Sequence, residues 1–407
     1  MRVVYLHQYF NTPAMSGGTR SYEMARRLVA AGHAVDLITS RRDASSPAGG
    51  WSVQEIDGIR VHWLPVRYSN RMSYRRRLAS FLRYSVGAAR RAVGIPCDVV
   101  FATSTPLTIA LPGIVASRRW RVPMVFEVRD LWPEVPIAMG ALRNPLARGA
   151  ARALERWAYR SSARIVALSE GMAEGVRRTG YPADRVVVIP NACDTRMFDP
   201  SPGPGRAFRE EHPWLGDRPL VLYAGTLGRV NGVGYLAEMA AAMRALDPRV
   251  RFLVIGNGIE REIVERRAAE LGVLGTTFFM LPRQPKQAMP ALLSASTVAT
   301  SVVVDVAELE HNSANKFFDA LAAGRPVLIN HGGWQADLLR ETGAGIVVPP
   351  DRPPEAARLL HELLVDGERL AAAGRRARQL AETRFDRDRL AGLLADTLEA
   401  AVGTGES

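Results

Sequence analysis

Short hydrophobic runs alternate with amphipathic stretches along the chain, and this alternation occurs in two series. The first series begins with "RVVYL" at residues 2–6 and ends with "RVVVIP" at 185–190, and the second runs from "PLVLYAG" at 219–225 to "GIVVP" at 345–349. The runs have the length of buried strands, while the stretches between them repeat apolar residues every three or four positions, as helices do. Each series therefore predicts a doubly wound parallel sheet with helices on both faces, which is an α/β fold.

The segment between the two series has a different composition. Residues 191–208, "NACDTRMFDPSPGPGRAF", are rich in Pro and Gly, as linkers between domains are. We therefore expect one domain over residues 1–194 and a second over 195–380. The tail from 353 to 402 has Ala, Leu and Arg at helical spacing and predicts further helices.

Composition indicates an ordinary globular protein. The chain has 407 residues, of which 47% are hydrophobic and 23% charged, which is enough for two domains with cores of their own. The start lacks the features of a secretory leader, and the longest apolar run, 99–116, contains Ser, Thr and two prolines. Cys97 and Cys193 form neither a metal-ligand spacing nor a disulfide framework. These features predict a cytoplasmic protein without a membrane span or a metal.

Charge adds an expectation about partners. The net charge is +12 and the pI about 10.3, which favours an anionic partner such as a phosphorylated substrate, a nucleic acid or an acidic membrane surface. Among 53 basic residues only Lys286 and Lys316 are lysines. A lysine is a compact point charge where arginine is a planar fork, so each could occupy a place that arginine cannot fill. Chance is the other explanation.

Loops that follow the strands are the expected ligand sites in such sheets. Gly17 and Gly18 follow the first strand, and "AGTLGRVNG" at 224–232 follows the first strand of the second series. Paired glycines let the backbone approach a phosphate, although a flexible loop entering a helix would look the same. No G-x-G-x-x-G motif follows "RVVYL", which argues against a dehydrogenase.

The most informative stretch is "ELEHNSANKFFDALAAGRPVLIN", residues 308–330. It predicts a helix that begins near Asn315, is capped by Asn312 or Ser313, and ends near Gly324. The helix N-terminus and Lys316 would favour a diphosphate, and Asp319 on the next turn could accept two hydrogen bonds from a ribose diol. The alternative is a capped surface helix on which Lys and Asp occur by chance.

Three segments together resemble a known family over nearly the whole chain. "KFFDALAAGRPVLIN", "YAGTLGRVNG" and "VIPNACDTRMF" are similar to the retaining glycosyltransferases of family 4. The resemblance implies the GT-B fold of two facing Rossmann-like domains, with the acceptor bound by the first and a nucleotide-sugar by the second. It also implies a final helix, about residues 380–402, that crosses back to the first domain. "EVRDLWPE" at 127–134 and "NSANKFFD" further resemble a bacterial branch that adds L-fucosamine-type sugars during O-antigen and capsule assembly.

The resemblance also implies roles for individual residues. The family's ribose-binding Glu falls on Asp319, its second Glu falls on His311 beside Glu310, and its sugar-contacting His falls on Arg129. Its phosphate-binding Arg and Lys fall near Thr226 and Asn231. The implied catalytic candidates are Arg129, Asp130, Glu127 and His311. The implied donor-binding candidates are Gly17, Gly18, Gly225, Thr226, Arg229, Asn231, Arg283, Glu310, Asn315, Lys316, Phe317 and Asp319. For Glu127 and Asp130 the alternative is burial in a structural pair with arginine.

The implied activity is transfer of a sugar from a nucleoside diphosphate, most simply UDP, to a hydroxyl group, with retention and without a metal or cofactor. The implied acceptor is a polyprenyl-diphosphate-linked glycan of cell-surface polysaccharide synthesis. Three alternatives are a soluble acceptor such as a natural product, a nucleotide-sugar 2-epimerase, and a non-catalytic nucleotide-binding or nucleic-acid-binding module. The last is disfavoured because the sequence lacks a recognised nucleic-acid-binding motif.

Residues 66–95 form a basic amphipathic segment. Eight arginines and no carboxylate lie between Arg67 and Arg91. An apolar stripe recurs at helical spacing, made of Leu78, Phe81, Leu82, Val86, Ala89 and Val93. Because the resemblance implies a lipid-linked acceptor at the inner face of the cell membrane, we expect residues 67–91 to contact an anionic membrane surface there, through Arg71, Arg75, Arg76 and Arg77. Packing of the stripe on the first domain is the alternative.

Overall fold

A computed structural model describes residues 1–15, 17–41, 50–68, 72, 74–198 and 203–403, without the side chains of Tyr74 and Arg75. The chain forms two compact units. The first contains Met1–Thr12, Gly17–Pro190 and the residues from Asp388 onward, and the second is built on Asn191–Arg387. The chain passes from the first unit to the second four residues before the boundary expected from the linker. The division of acceptor and donor binding between the units remains a prediction.

The first unit contains an eight-stranded sheet with the order β3-β4-β2-β1-β5-β6-β7-β8. Neighbouring strands are parallel except for β3, which is antiparallel to β4. The strands are β1 (Arg2–Leu6), β2 (Ala34–Arg41), β3 (Ser52–Ile56), β4 (Ile59–Pro65), β5 (Val99–Thr103), β6 (Met124–Val128), β7 (Arg164–Ala167) and β8 (Val186–Val188). The helices are α1 (Arg20–Ala30), α2 (Tyr74–Ala92), α3 (Ala110–Trp120), α4 (Glu134–Ala138), α5 (Pro145–Arg160) and α6 (Glu170–Arg177).

The second unit contains a six-stranded sheet with the order β11-β10-β9-β12-β13-β14, in which every pair is parallel. The strands are β9 (Leu220–Ala224), β10 (Arg251–Ile255), β11 (Phe278–Leu281), β12 (Val298–Ser301), β13 (Val327–Ile329) and β14 (Gly345–Val347). The helices are α7 (Gly203–Glu210), α8 (Gly234–Leu246), α9 (Arg261–Glu270), α10 (Met289–Ala295), α11 (Asn315–Ala322), α12 (Trp334–Thr342), α13 (Pro353–Val365) and α14 (Gly367–Thr383).

The last helix, α15 (Arg387–Gly403), returns to the first unit, as the fold class requires. Asp388 pairs with Arg27 on α1 at 2.6 Å, and Glu399 lies 3.6 Å from His33 at the end of the same helix. The return therefore begins a few residues later in the chain than the expected position near residue 380.

An aromatic cluster seats α11 in the core of the second unit. Phe317 and Phe318 are fully buried, and their ring centroids lie 5.4 Å apart. Trp334 on α12 lies 6.0 Å from Phe317, and Phe385 lies 5.2 Å from Phe318. The sulfur of Cys193 also donates to the carbonyl of Phe318, at 3.1 Å. These contacts fix the position of α11, whose first residues begin the predicted ligand site.

Within the described ranges, no helix combines the length and the apolar character that crossing a membrane demands.

Candidate functional site

The strand order of the second sheet reverses between β9 and β12. From β9 the sheet extends to β10 and β11 on one side, and to β12, β13 and β14 on the other. Ligands of open parallel sheets bind beyond the carboxyl ends of the strands at such a reversal. The turn after β9 contains Gly225, Thr226, Arg229 and Asn231, and the loop after β12 leads into α11. The fold thus brings both predicted segments to one edge of one sheet.

The turn after β9 is held close to neighbouring backbone. The Gly225 amide donates to the carbonyl of Ile255 at 2.9 Å, and the side chain of Asn231 accepts from the Gly228 amide at 3.3 Å. A Cβ atom on Gly225 would lie 3.5 Å from Cε of Lys316. Thr226 and Arg229 are exposed. Asn231 therefore shapes the turn, whereas Thr226 and Arg229 are available to a ligand.

The beginning of α11 differs from the expectation. Its N-cap is Ala314, and no side chain caps the helix. Ser313 instead accepts hydrogen bonds from the backbone and side chain of Asn191, and the Asn312 carbonyl accepts from the indole of Trp334 at 2.9 Å. The prediction of a cap by Asn312 or Ser313 is therefore wrong. The helix starts at Asn315, as predicted, without a side-chain oxygen on its first-turn amides.

Lys316 projects from this first turn toward Tyr223 at the end of β9. Its ammonium nitrogen lies 4.8 Å from the centroid of the Tyr223 ring and 3.4 Å from the hydroxyl oxygen. Among the described residues, no carboxylate lies within ion-pair distance of this nitrogen. Burial lowers the pKa of Lys316 to about 8. An ammonium group that is partly shielded from water and has no carboxylate partner binds an anion strongly.

Asp319 has a partner that the sequence did not reveal. Its Oδ2 accepts a hydrogen bond of 2.5 Å from the ammonium of Lys286, and each of the two side chains is 14% exposed. Lys286 follows β11 and lies 5.0 Å from the centroid of the Phe198 ring. Arg283, the predicted base contact, precedes Lys286 in the same loop and is exposed.

Phe317, a predicted donor contact, is buried. The Phe317 side chain is 0% exposed and belongs to the aromatic cluster under α11. Its amide already donates to the Ala314 carbonyl at 3.1 Å. The Phe317 side chain therefore packs α11 into the core, and a contact of Phe317 with a donor remains a prediction.

Glu310 and His311 lie in a short 3₁₀ turn, Ala307–His311, before α11. Both are partly buried. The carboxylate of Glu310 packs against Gly332, where an added Cβ atom would lie 2.6 Å from Oε1. A contact of either residue with a donor sugar remains a prediction.

His331, which follows β13, was missed in the sequence. It is buried, and its Nδ1 lies 2.8 Å from the Gly332 carbonyl. Because a carbonyl only accepts, Nδ1 carries the proton and Nε2 is an acceptor. Nε2 is buried and has no hydrogen-bond partner among the described residues. Burial lowers the pKa of His331, and Lys316 lowers it further. A histidine directly after a short apolar strand was the signal available.

The first sheet reverses its order between β1 and β5, and Gly17 and Gly18 belong to the loop after β1. Gly17 has φ +140°, and a Cβ atom there would lie 2.7 Å from Nδ2 of Asn11. The same Nδ2 donates to the Gly18 carbonyl at 3.3 Å. Glycine is thus required by the turn itself, and contact of Gly17 and Gly18 with a donor remains a prediction.

Glu127, a predicted catalytic residue, is engaged in a buried ion pair. Its carboxylate is 0% exposed and lies 2.8 Å from the Arg20 guanidinium, which also donates to the carbonyls of Ile189 and Pro190. The hydroxyl of Thr103 donates to the other carboxylate oxygen. Burial alone would raise the pKa of Glu127, but Arg20, Arg129 and these hydrogen bonds hold it below the usual value. Glu127 is therefore a structural partner of Arg20, as in the alternative given for it, and a catalytic role for it remains a prediction.

Arg129 and Asp130 follow β6 and are more accessible. A guanidinium nitrogen of Arg129 lies 3.3 Å from Nε2 of His7, whose Nδ1 lies 2.6 Å from the Ser21 hydroxyl. Asp130 is exposed and accepts a hydrogen bond from Thr105 at 3.3 Å. His7, at the end of β1, is a further candidate that the sequence reading missed. These residues form a polar cluster at the reversal point of the first sheet.

Solved structures identify the fold. HepE of Anabaena, in complex with UDP and glucose, aligns with 98% of this chain and 100% of its own, with a TM-score of 0.75 and 18% identity. Sucrose-phosphate synthase of Thermosynechococcus elongatus aligns with 98% of this chain and 99% of its own, with a TM-score of 0.78 and 18% identity. The predicted GT-B fold is thereby confirmed.

Family models and curated relatives then give the class of protein. Residues 17–192 match the glycosyl transferase 4-like domain, and residues 206–380 match the glycosyl transferases group 1. The chain is 27% identical over 259 residues to alpha-D-kanosaminyltransferase of Streptomyces kanamyceticus, covering 62% of this chain and 64% of that protein. The chain belongs to the glycosyltransferases with the GT-B fold. The narrower resemblance to an O-antigen branch remains a prediction.

Two further relatives carry different substrate names. D-inositol 3-phosphate glycosyltransferase of Nocardia farcinica is 27% identical over 275 residues, covering 65% of this chain and 58% of that protein. GDP-mannose-dependent alpha-(1-6)-phosphatidylinositol monomannoside mannosyltransferase of Mycobacterium tuberculosis is 26% identical over 322 residues. This match covers 72% of this chain and 82% of that protein. The matches to the kanosaminyltransferase and the inositol-phosphate enzyme thus span less than two thirds of those proteins.

The buried pair in the first unit generates a stability prediction. Arg20→Met should lower the free energy of unfolding by about 3 to 5 kcal/mol at pH 7, because it leaves the charge of Glu127 uncompensated. Since the pKa of Glu127 is lowered by folding, the pair stabilises above the unfolded carboxyl pKa of about 4.3 and its contribution is lost as the pH falls through the folded pKa. Urea denaturation at several pH values measures this.

The double variant Arg20→Met, Glu127→Gln is the control, because it removes both charges. It should unfold at a higher urea concentration than Arg20→Met alone. A loss below about 1 kcal/mol in Arg20→Met would contradict a buried, uncompensated carboxylate.

Proposed function

We propose that this protein transfers a sugar from a nucleoside diphosphate to a hydroxyl group of an acceptor, with retention at the anomeric carbon. The observation that carries the proposal is the start of α11. There, uncapped helix amides and the unpaired ammonium of Lys316 lie one turn before the carboxylate of Asp319. Helix amides and a cation suit a diphosphate, and a carboxylate suits a ribose diol.

The same residues account for the chemistry of the transfer. When the bond to the sugar breaks, negative charge develops on the departing diphosphate, and the α11 amides and Lys316 stabilise it without reorganising. Arg229, exposed in the turn after β9, supplies a further positive charge. The Nε2 of His331 could accept a hydrogen bond from a hydroxyl of the sugar. No metal is required for this scheme, and UDP is the proposed nucleotide.

The proposed acceptor is a lipid-linked glycan of cell-surface polysaccharide synthesis, handled at the inner face of the membrane. Helix α2 supports this part of the proposal. Its side facing the sheet carries the buried residues Tyr84, Ala88 and Ala92, while Leu78, Leu82 and Val86 are 42%, 47% and 53% exposed. The exposed arginines of the described part of α2 are Arg76, Arg83 and Arg90.

The alternative, packing of the stripe on the first domain, does not hold for the whole predicted stripe. The stripe of Leu78, Leu82 and Val86 is not the face that packs on the domain, and Phe81 is only partly exposed. Arg77 lies over the Tyr68 ring at 5.8 Å, so it is less available than expected. Arg71 and the side chain of Arg75 lie outside the described residues. An apolar ridge beside arginines suits an anionic lipid surface.

A soluble acceptor is the second candidate, because a relative is named as acting on D-inositol 3-phosphate. A nucleotide-sugar 2-epimerase is the third, and it would act without any acceptor. The membrane prediction below separates lipid-linked from soluble acceptors. Analysis of a nucleotide-sugar incubated alone separates the epimerase, which would yield an epimeric product.

The donor is tested by thermal unfolding with UDP, GDP, CDP and dTDP. A bound nucleotide at 100 times its Kd adds about 2.7 kcal/mol to the free energy of unfolding, so one member of the set should raise Tm well above the others. UDP is expected to do so. Absence of any shift at millimolar concentration, with no binding in calorimetry, would overturn the transferase proposal.

Lys316 generates a prediction about pH. Its pKa is about 8 without ligand, and a bound diphosphate should raise it. Between these two pKa values binding takes up a proton, so the affinity for UDP should fall as the pH rises above about 8, by up to about tenfold per unit. Below that pH, Lys316 is charged in both states and adds no dependence. Calorimetry from pH 7 to 10 measures the change.

Two variants isolate the lysine. Lys316→Met should bind UDP more weakly and lose this part of the pH dependence, because no charge remains to titrate. Lys316→Arg keeps its charge throughout the range and should also bind independently of pH in this window. An unchanged pH profile in Lys316→Met would show that Lys316 does not meet the diphosphate.

Helix α2 generates the membrane prediction. Wild-type protein should sediment with vesicles containing anionic phospholipid at low salt, since each basic residue near such a surface contributes about 1 kcal/mol. The triple variant of Arg76, Arg83 and Arg90 to Ser should bind the vesicles much more weakly while its affinity for UDP is unchanged. Co-sedimentation and calorimetry measure the two.

A control with equal charge uses arginines of the second unit that are also exposed, changed to Ser: Arg206, Arg266 and Arg375. It should bind vesicles like the wild type. Wild-type protein that ignores anionic vesicles at low salt would favour the soluble acceptor.

A further inference from the structure

Both lysines of the chain lie at helix α11. Lys316 lies on the first turn of α11, and Lys286 reaches the next turn of α11 from the loop after β11. They are 2 of 53 basic residues, the others being arginine. The proposed donor site accounts for Lys316 by its diphosphate. Lys286 needs another explanation, which its contact with Asp319 provides.

The pair of Lys286 and Asp319 leaves half of the carboxylate unused. The hydrogen bond of 2.5 Å goes to Oδ2, and no described residue donates to Oδ1. The ammonium of Lys286 can donate three hydrogen bonds, and one of them goes to Asp319. Another side of the group faces the Phe198 ring, whose centroid lies 5.0 Å from the ammonium nitrogen. The pair therefore retains both an acceptor and a donor.

An arginine in place of Lys286 would engage both oxygens of the Asp319 carboxylate and leave neither for a ligand. The planar guanidinium fork matches both oxygens of a carboxylate. This chain provides an example, because Arg249 donates to Oδ1 of Asp247 at 3.0 Å and to Oδ2 at 2.8 Å. A lysine holds the carboxylate by one oxygen only. That difference gives a physical reason for lysine here in a chain that otherwise uses arginine.

We propose that Lys286 and Asp319 together read the ribose diol of the donor nucleotide. Oδ1 of Asp319 accepts a hydrogen bond from one ribose hydroxyl, and the ammonium of Lys286 donates to the other. Lys286 is then a specificity-determining residue that selects ribonucleotides over 2′-deoxynucleotides, and dTDP-linked sugars are excluded as preferred donors. The inference rests on the proposed nucleotide-sugar site and adds the pair to it.

The test compares matched ribo and 2′-deoxy ligands by calorimetry: UDP with dUDP, GDP with dGDP, and CDP with dCDP. The wild type should prefer the ribo form of its nucleotide by about tenfold or more, because a site built to bond a hydroxyl leaves polar groups unpaired when that hydroxyl is missing. Lys286→Arg is the decisive variant. It keeps the ion pair and the fold but occupies both oxygens, so its ribo preference should fall to about threefold or less.

Further variants keep the result interpretable. Lys286→Met should also lose the ribo preference, and its fold is checked by circular dichroism and Tm. If Lys286→Met does not fold, Lys286→Arg and Asp319→Asn decide the matter. Arg266→Gln makes the same charge change as a lysine loss at an exposed position on α9 and should keep both affinity and preference.

The possible failures are distinct. No binding of any of these nucleotides to the wild type would contradict the proposed function itself. Binding with an unchanged ribo preference in Lys286→Arg would overturn only the role of Lys286. Preference of the wild type for a 2′-deoxy form would also overturn it, while leaving a nucleotide-binding site in place.

Discussion

The reversal of strand order between β9 and β12 is the constraint on which the architecture of the second unit depends. Parallel strands must be joined by crossovers, and the crossovers from the two sides of this point run in opposite directions. The loops after β9 and β12 therefore part, and the start of α11 lies at this point of the sheet edge. The aromatic contacts of Phe317, Phe318, Trp334 and Phe385 then hold that start in place. Packing in the core of the second unit thus fixes the positions of the polar groups at the start of α11.

Local patterns were enough to predict the two sheets, the linker and the helix that begins at Asn315. They failed at the cap of that helix, where the N-cap is Ala314, because the hydroxyl oxygen of Ser313 accepts from the backbone amide of Asn191, which is 122 residues away. Capping motifs assume that a side chain has no better partner. The spacing of residues in the sequence does not show that a residue as far along the chain as Asn191 bonds to the same oxygen.

The same limit explains why two carboxylates were read alike and turned out differently. Glu127 meets Arg20 across 107 positions of sequence and is sealed in the core, whereas Asp319 meets Lys286 across 33 and keeps 14% of its side chain exposed. A buried carboxylate with both oxygens engaged by protein donors holds the fold together. One that retains an oxygen can also bind a ligand, so the partner decides the role as much as the carboxylate does.

Helix α2 shows what periodicity does and does not specify. A helical stripe can be read from the sequence, but two stripes are present, and only packing reveals that Tyr84, Ala88 and Ala92 face the sheet while Leu78, Leu82 and Val86 face solvent. An exposed apolar ridge carries a cost in water, and the arginines beside it keep that surface soluble. The cost is recovered only where the surroundings are both apolar and negatively charged. The headgroup region of an anionic bilayer, the partner proposed for α2, has both properties.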